Sequence, residues 1–252
     1  MRDEIRKAFK RLSAFVHPSS LIPHPSSLIP HPLPVAALLL AAGRSRRMGA
    51  FKPLLPFGAQ TVIETCINQL LAAGCEEIVV VVGHRAEEVR ARVSHLPVRF
   101  ACNDEAGSEM GVSIARGVEE LTAGDRAAAA TTTTPGAVLI ALADHPAVTA
   151  QTIEEVIAAH RRTGARLVVP EWQGRGGHPV LVSMGLRASL LNLDSVGGLR
   201  SLFAAHAGEV LRVPVASGYI ARDMDTWEDY RTLHEEVFGV PPPVTLLSGQ
   251  QT

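Results

Sequence analysis

From Val35 onward, short β-type runs alternate with stretches in which apolar positions recur every three to four residues. The runs at 35–41 (VAALLLA), 77–82 (EIVVVV), 97–102, 137–143 (AVLIALA), 166–169 and 179–183 predict strands. Helical spacing predicts helices near 61–73, 85–94, 111–121, 149–163, 198–206 and 226–237. The first, second and fourth runs are almost continuously apolar, as a strand must be when helices cover both faces of its sheet. The expected class is therefore α/β: a mostly parallel sheet flanked by helices, Rossmann-like, with ligands bound beyond the carboxyl ends of the strands.

The flanks follow a different pattern. Residues 17–32 read HPSSLIPHPSSLIPHP, a seven-residue unit given twice and begun a third time. Its prolines are too dense for helix or sheet, and two full copies are too few to stack as a solenoid. Residues 1–34 are expected to be a disordered, low-complexity tail, so His17, His24 and His31 are discounted as metal ligands. The domain is expected at 35–238, with a flexible tail at 239–252. AAAATTTTPG at 127–136 reads as a surface loop inserted before a central strand.

Composition narrows the function. The chain has 252 residues, 46% apolar and 19% charged, and no apolar run approaches the roughly 18 residues of a membrane helix. Net charge is −1; the first 34 residues hold five Lys/Arg and two Asp/Glu, which leaves the domain mildly acidic. With few aromatic residues as well, the chain lacks the footprint of a nucleic-acid binder. Cys66, Cys75 and Cys102 form no CxxC pair, so neither a disulfide framework nor a zinc site is expected, and no secretory signal is visible. A cytoplasmic protein is expected. Against the acidic background, residues 35–63 contain Arg44, Arg46, Arg47 and Lys52 and no acid, a patch suited to an anion.

That patch lies in LLLAAGRSRRMGAFKPLLPFG (38–58), directly after the first strand. It is neither a Walker A loop nor a GxGxxG fingerprint. Small residues at Ala41, Ala42 and Gly43 let backbone N–H groups approach a phosphate, and Arg47 and Lys52 can neutralise one. Lys52 is also the sole lysine of the expected domain, the others being Lys7 and Lys10. Asp144 follows the run AVLIALA, so its carboxylate should emerge at the carboxyl end of a central strand. Magnesium takes one or two carboxylates plus phosphate oxygens and water, and Asp223 or Asp225 could supply the second. His178 follows two glycines that allow a tight turn. Ser108 and Ser113 have no general base beside them in sequence, so nucleophilic serine catalysis has no support.

LAAGRSRRMGAFKPLL resembles the signature LAAGxSxRMGxxKxLL of molybdenum cofactor cytidylyltransferases, within the MobA-like NTP transferase superfamily. Related loops occur in sugar-phosphate and methylerythritol-phosphate nucleotidyltransferases. NDEAGSEMGVSIARG (103–117), GRGGHPVL (174–181) and DMDTWEDY (223–230) are similar to further segments of the cytidylyltransferases, so the resemblance spans about 35–235. It implies magnesium-dependent transfer of CMP from CTP to molybdopterin with release of pyrophosphate. By resemblance, Lys52, Arg47 and Asp144 carry catalysis, and Asp144 and Asp225 hold the metal. Ala41, Ala42, Gly43, Gly83 and Asn103, with Arg47 and Lys52, hold the nucleotide, and His145, Gly177 and His178 the acceptor. CTP is preferred because LAAG resembles the cytidylyl branch, where the guanylyl branch shows LAGG. This chain departs from the pattern at His145, Glu109 and Trp227, where Gln, Gly and Pro are usual. Two other roles stay open: transfer to a different phosphate acceptor such as a sugar phosphate, or a non-catalytic carrier that hands the cofactor to an apo-molybdoenzyme.

Because a proline-spaced repeat cannot join a parallel-sheet core, deleting residues 1–32 is expected to leave melting temperature and turnover unchanged. A fall of several degrees by differential scanning fluorimetry would show that the tail supports the domain.

Overall fold

The computed structural model describes residues 34–45, 47–105, 109–127, 135–194 and 197–243. The HPSSLIP repeat, Arg46, Ser108 and most of the proposed 127–136 loop lie outside them. One mostly parallel sheet organises the rest. Its strands are β1 (Val35–Leu40), β4 (Ile78–Val82), β5 (Arg99–Cys102), β6 (Ala137–Leu142), β7 (Leu167–Trp172), β8 (Arg175–Gly176), β9 (Val180–Ser183) and β10 (Val210–Pro214). Their order is β10-β7-β9-β6-β1-β4-β5, with β8 paired to β7. Strands β5, β4, β1 and β6 are parallel; β9 runs against both β6 and β7, and β10 is parallel to β7. A separate two-stranded ribbon joins β2 (Pro56–Phe57) to β3 (Gln60–Thr61).

Helices cover both faces, as the unbroken apolar strands require. In β1, Val35, Ala37 and Leu39 face one core, with Ile63, Ile67 and Leu70 of α1 (Val62–Ala72), Val89 of α2 (Ala86–Arg92), and Ile153, Val156 and Ile157 of α4 (Ala150–Thr163). Ala36 and Leu38 face the other, with Ile114, Val118 and Leu121 of α3 (Met110–Ala127), Leu190 of α5 (Arg187–Leu191) and Leu202 of α6 (Leu199–Ala205). The alternation follows from the two-residue period of a strand. Burial raises the thiol pKa of both Cys66 and Cys75, the latter to about 12, so these cysteines are inert packing residues.

The six predicted strands and six predicted helices are all present within a few residues. Strand β10, the β2–β3 ribbon, β8 and α5 were not apparent in the periodicity. β10 is an edge strand carrying Arg212 and ending at Pro214, so it shows neither an apolar run nor clean alternation.

The last helix, α7 (Trp227–Phe238), is set apart from both faces. It packs with Met48, Leu55, Phe57 and Val62 in a third cluster through Tyr230 and Leu233, and Met224 joins from the segment just before it. The Tyr230 hydroxyl donates to the carbonyl of Pro56 at 2.5 Å. A reciprocal capping box starts α7: Thr226 Oγ1 accepts from the Asp229 N–H, and the Asp229 carboxylate accepts from the Thr226 N–H. Trp227 stands at the first helical position, where the usual Pro would also fit, so this departure leaves the start of the helix intact.

Gly117 shows how closely α3 lies on the sheet. A Cβ there would meet Leu38 Cδ2 at 2.8 Å and Val81 Cγ2 at 3.0 Å. Gly117→Leu should therefore lower the unfolding free energy by about 1–3 kcal/mol through overpacking. Urea denaturation checks this; an unchanged midpoint would contradict the close packing.

Candidate active site

Two loops at the carboxyl ends of parallel strands and the segment that leads into α7 build the site. The first leaves β1, where the Ala41 N–H still bonds Val81 O at 2.8 Å, and turns through Ser45 and Gly49, both at positive φ. Ser45 Oγ accepts from the Lys52 N–H at 3.2 Å, which fixes the start of a single 3₁₀ turn at Lys52–Leu54. The second leaves β6, where the Ala143 N–H bonds Leu40 O, and presents Asp144 and His145. The third is the stretch before α7: its capping box and Met224 anchor hold Asp225 immediately outside the helix.

These loops converge on the Lys52 ammonium. Its side chain is one-tenth exposed, and Nζ lies 2.7 Å from Asp225 Oδ1 and 3.5 Å from Asp144 Oδ2. Arg47, largely exposed, pairs with the other oxygen of Asp225. The hydrogen bond from Lys52, with Arg47 assisting, holds the Asp225 carboxyl below its ordinary range. Between the sequence's two alternatives, Asp225 is the residue bonded to Lys52, and Asp223 acts electrostatically on His145. Two carboxylates that reach one compact cation form an all-oxygen donor pair, which fits magnesium with its remaining positions filled by phosphate and water.

Two cavities lie nearby: Lys52 and Asp144 line the first, and the second reaches His145, next to Asp144 in sequence. One, of about 450 Å³, is lined by Ala41, Ala42, Gly43, Lys52, Asn103 and Asp144, among others. The second, of about 830 Å³, is lined by His145, Gly177 and His178 together with Arg200, Phe203 and Arg212. Asp144 and His145, adjacent in sequence, face different cavities, and Met110 borders both. The residues expected to hold nucleotide thus line one cavity, apart from Arg47 and Gly83, and the three expected to hold the acceptor line the other.

Several of these residues also make contacts within the protein. Gly83 supports the first cavity from behind: a Cβ there would lie 2.6 Å from the Asn103 carbonyl and 3.2 Å from Ala42 Cβ. Asn103 Nδ2 donates to Ser113 Oγ at 2.8 Å and its Oδ1 accepts from the Glu105 N–H, so this side chain ties the end of β5 to α3. Gly177 is required by the Ile220 backbone, which a Cβ would overlap. Ser45, Ser113, Met110 and His84 also belong to the first cavity's wall and its supports. Ser45 lies inside the glycine–cation motif, but only the folded loop shows its bond to Lys52.

His145 and His178 stand edge to face with ring centroids 6.0 Å apart. Burial lowers the pKa of both, that of His178 to about 4, so both imidazoles are neutral near pH 7. His178 Nδ1 lies 3.4 Å from the Ile140 carbonyl.

A MobA-like NTP transferase domain model matches residues 37–210, which include the glycine–cation loop, Asp144 and His178. The chain belongs to the MobA-like NTP transferase family. Nicotine blue oxidoreductase from Paenarthrobacter nicotinovorans is 31% identical over 209 residues, covering 79% of this chain and 96% of that protein. Among solved structures, a homologue of Mycobacterium tuberculosis Rv0371c from Mycobacterium sp. strain JC1 superposes with a TM-score of 0.68 at 30% identity, over 81% of this chain and 96% of that one. A nucleotidyl transferase from Methanothermobacter thermautotroptrophicus gives 0.64 at 26% identity, over 80% and 96%. The chain is accordingly an enzyme of the nucleotidyltransferase kind, and the family's mostly parallel, helix-flanked sheet is the fold described above. Among the described residues, no helix is long and apolar enough to cross a membrane.

The depressed pKa of His178 gives a signed expectation. Below the ordinary histidine value of 6.5 the unfolded chain takes up a proton that the folded chain refuses until about pH 4. Stability is therefore fully present above pH 6.5 and falls as pH drops toward 4, by at most about 1.4 kcal/mol per pH unit for this group. His178→Gln should flatten that slope in denaturation measured at pH 7 and pH 5. An unchanged slope would contradict the neutral, buried assignment.

Proposed function

We propose that this enzyme transfers CMP from CTP to the terminal phosphate of molybdopterin, with magnesium, and releases pyrophosphate. The observation that carries the proposal is the Lys52–Asp144–Asp225 cluster, whose Lys52 and Asp144 line the smaller cavity while His145, next to Asp144 in sequence, lines the larger. A reaction between two separately held phosphates needs its charge stabilisation where they approach each other.

CTP would occupy the smaller cavity, with backbone groups of Ala41–Gly43 near its phosphates. An acceptor phosphate oxygen approaching from the larger cavity would attack the α-phosphorus; the bond from that phosphorus to the bridging oxygen breaks, and pyrophosphate leaves. Lys52 would turn its positive charge toward the phosphates, where negative charge develops on the leaving group. Arg47, exposed at the rim, can leave Asp225 for a phosphate at little cost. Asp144 and Asp225 would hold the magnesium, which when bound neutralises and orients phosphate oxygens. His145 and His178, both neutral, offer the acceptor hydrogen-bonding edges without adding charge. The preference for CTP rests on the LAAG resemblance, and molybdopterin on the combined motif segments.

A second reading comes from the relative named an oxidoreductase, which is similar to this chain over nearly its whole length. It predicts a redox change in a bound small molecule and no pyrophosphate.

Incubation with each NTP, magnesium and molybdopterin should release pyrophosphate, most rapidly with CTP. Asp144→Asn and Asp225→Asn should each lower kcat/KM by about 10²-fold or more, the order seen when one transition-state charge partner is removed. Lys52→Arg should also lose activity, because a planar guanidinium cannot replace a compact ammonium in a tight loop. Equal turnover of a sugar phosphate would overturn the acceptor, and full activity in both aspartate variants would overturn the metal assignment.

A further inference from the structure

Between Asp144 and Asp225, where a divalent cation would sit, stands a cation of the chain itself. Lys52 Nζ contacts both carboxylates, at 3.5 and 2.7 Å. The lysine has little freedom to leave. Its side chain is one-tenth exposed, its backbone N–H is tied to Ser45 Oγ, and Pro53 follows it in the 3₁₀ turn. Arg47 is different: its side chain is 77% exposed, so its pairing with Asp225 is open to water and easily given up.

We propose that Lys52 is a built-in counter-ion that keeps the Asp144–Asp225 pair closed to free divalent metal until a nucleotide draws its ammonium toward the phosphates. The proposal rests on the reading that these two carboxylates are the metal ligands. A metal arriving alone must displace a buried ammonium, or bind with that positive charge a few ångströms away; both weaken it. A triphosphate changes the balance because it offers several anionic oxygens to the three N–H donors of the ammonium. Lys52 can then turn from carboxylate to phosphate without being left buried and unpaired, and the two carboxylates become available to the metal the nucleotide carries. Metal and nucleotide therefore bind as a coupled pair, each raising the other's affinity by the same factor. Free metal, whichever divalent ion is abundant, does not occupy the site unproductively.

Manganese binding followed by electron paramagnetic resonance tests this without turnover. Without nucleotide, wild type should bind Mn²⁺ weakly, and Lys52→Met should bind it at least tenfold more tightly. Affinity in Lys52→Met no tighter than wild type overturns the proposal. Lys52→Gln, which keeps a polar side chain, provides the same comparison should Lys52→Met not fold. In the wild-type protein, CTP should tighten Mn²⁺ binding at least tenfold, and in Lys52→Met it should tighten it much less; an equal effect of CTP in both proteins also overturns the proposal. Asp144→Asn and Asp225→Asn, measured with CTP present, separate the two claims. If neither weakens Mn²⁺ binding, the metal-ligand reading itself fails. If both do while Lys52→Met matches wild type, only the counter-ion role fails.

Discussion

A nearly buried ammonium must have compensating charge, and that requirement at Lys52 ties together parts of the chain that lie far apart in sequence. Lys52 stands after the first strand, Asp144 after a central strand and Asp225 just before the last helix, yet all three meet within ion-pair distance. Removing either carboxylate would leave positive charge in a place from which water is largely excluded, and removing the lysine would leave two like charges close together. The electrostatics of the site and the closure of the fold around it are therefore one constraint.

The sheet explains how the three arrive. β1 and β6 are paired neighbours in register over six residues, so the loops that follow them emerge side by side with Asp144 next to the glycine–cation loop. That adjacency places ligand chemistry at the carboxyl edge of a parallel sheet. Asp225 comes by another route. Helix α7 packs on the β2–β3 ribbon and on Met48 and Leu55, which bracket Lys52 within four residues in sequence. The third cluster thus works as a strap whose packing delivers a carboxylate to a lysine more than 170 residues away in sequence.

Most of the fold was legible in sequence because both sheet faces are covered, which turns the central strands into apolar runs and the helices into clear amphipathic periods. What escaped was marginal to that core. β10 is a polar edge strand, the ribbon strands are two residues each, and α5 is too short to show a period. The site was legible as residue types, since a lone lysine among arginines and an aspartate ending an apolar run are visible without coordinates. Its partnerships were not. That Asn103 spends its amide on Ser113 and Glu105, that Gly83 and Gly177 are demanded by neighbouring protein atoms, and that Lys52 is paired with both carboxylates are consequences of tertiary contact. Motif spacing carries no record of such contacts. His145 and His178 were expected beside an acceptor on resemblance; the geometry adds that burial keeps both rings neutral.

The central claim is that Asp144, Asp225 and Lys52 form one metal-and-phosphate centre beside the smaller cavity. It is tested most directly by a crystal structure grown with Mn²⁺ and a non-hydrolysable CTP analogue, with data collected at a wavelength where manganese scatters anomalously. The account predicts an anomalous peak within coordination distance of both carboxylates, with nucleotide phosphates against the Lys52 ammonium and the base in the smaller cavity. Nucleotide bound with its phosphates away from Lys52, or manganese bound away from Asp144 and Asp225, would contradict it.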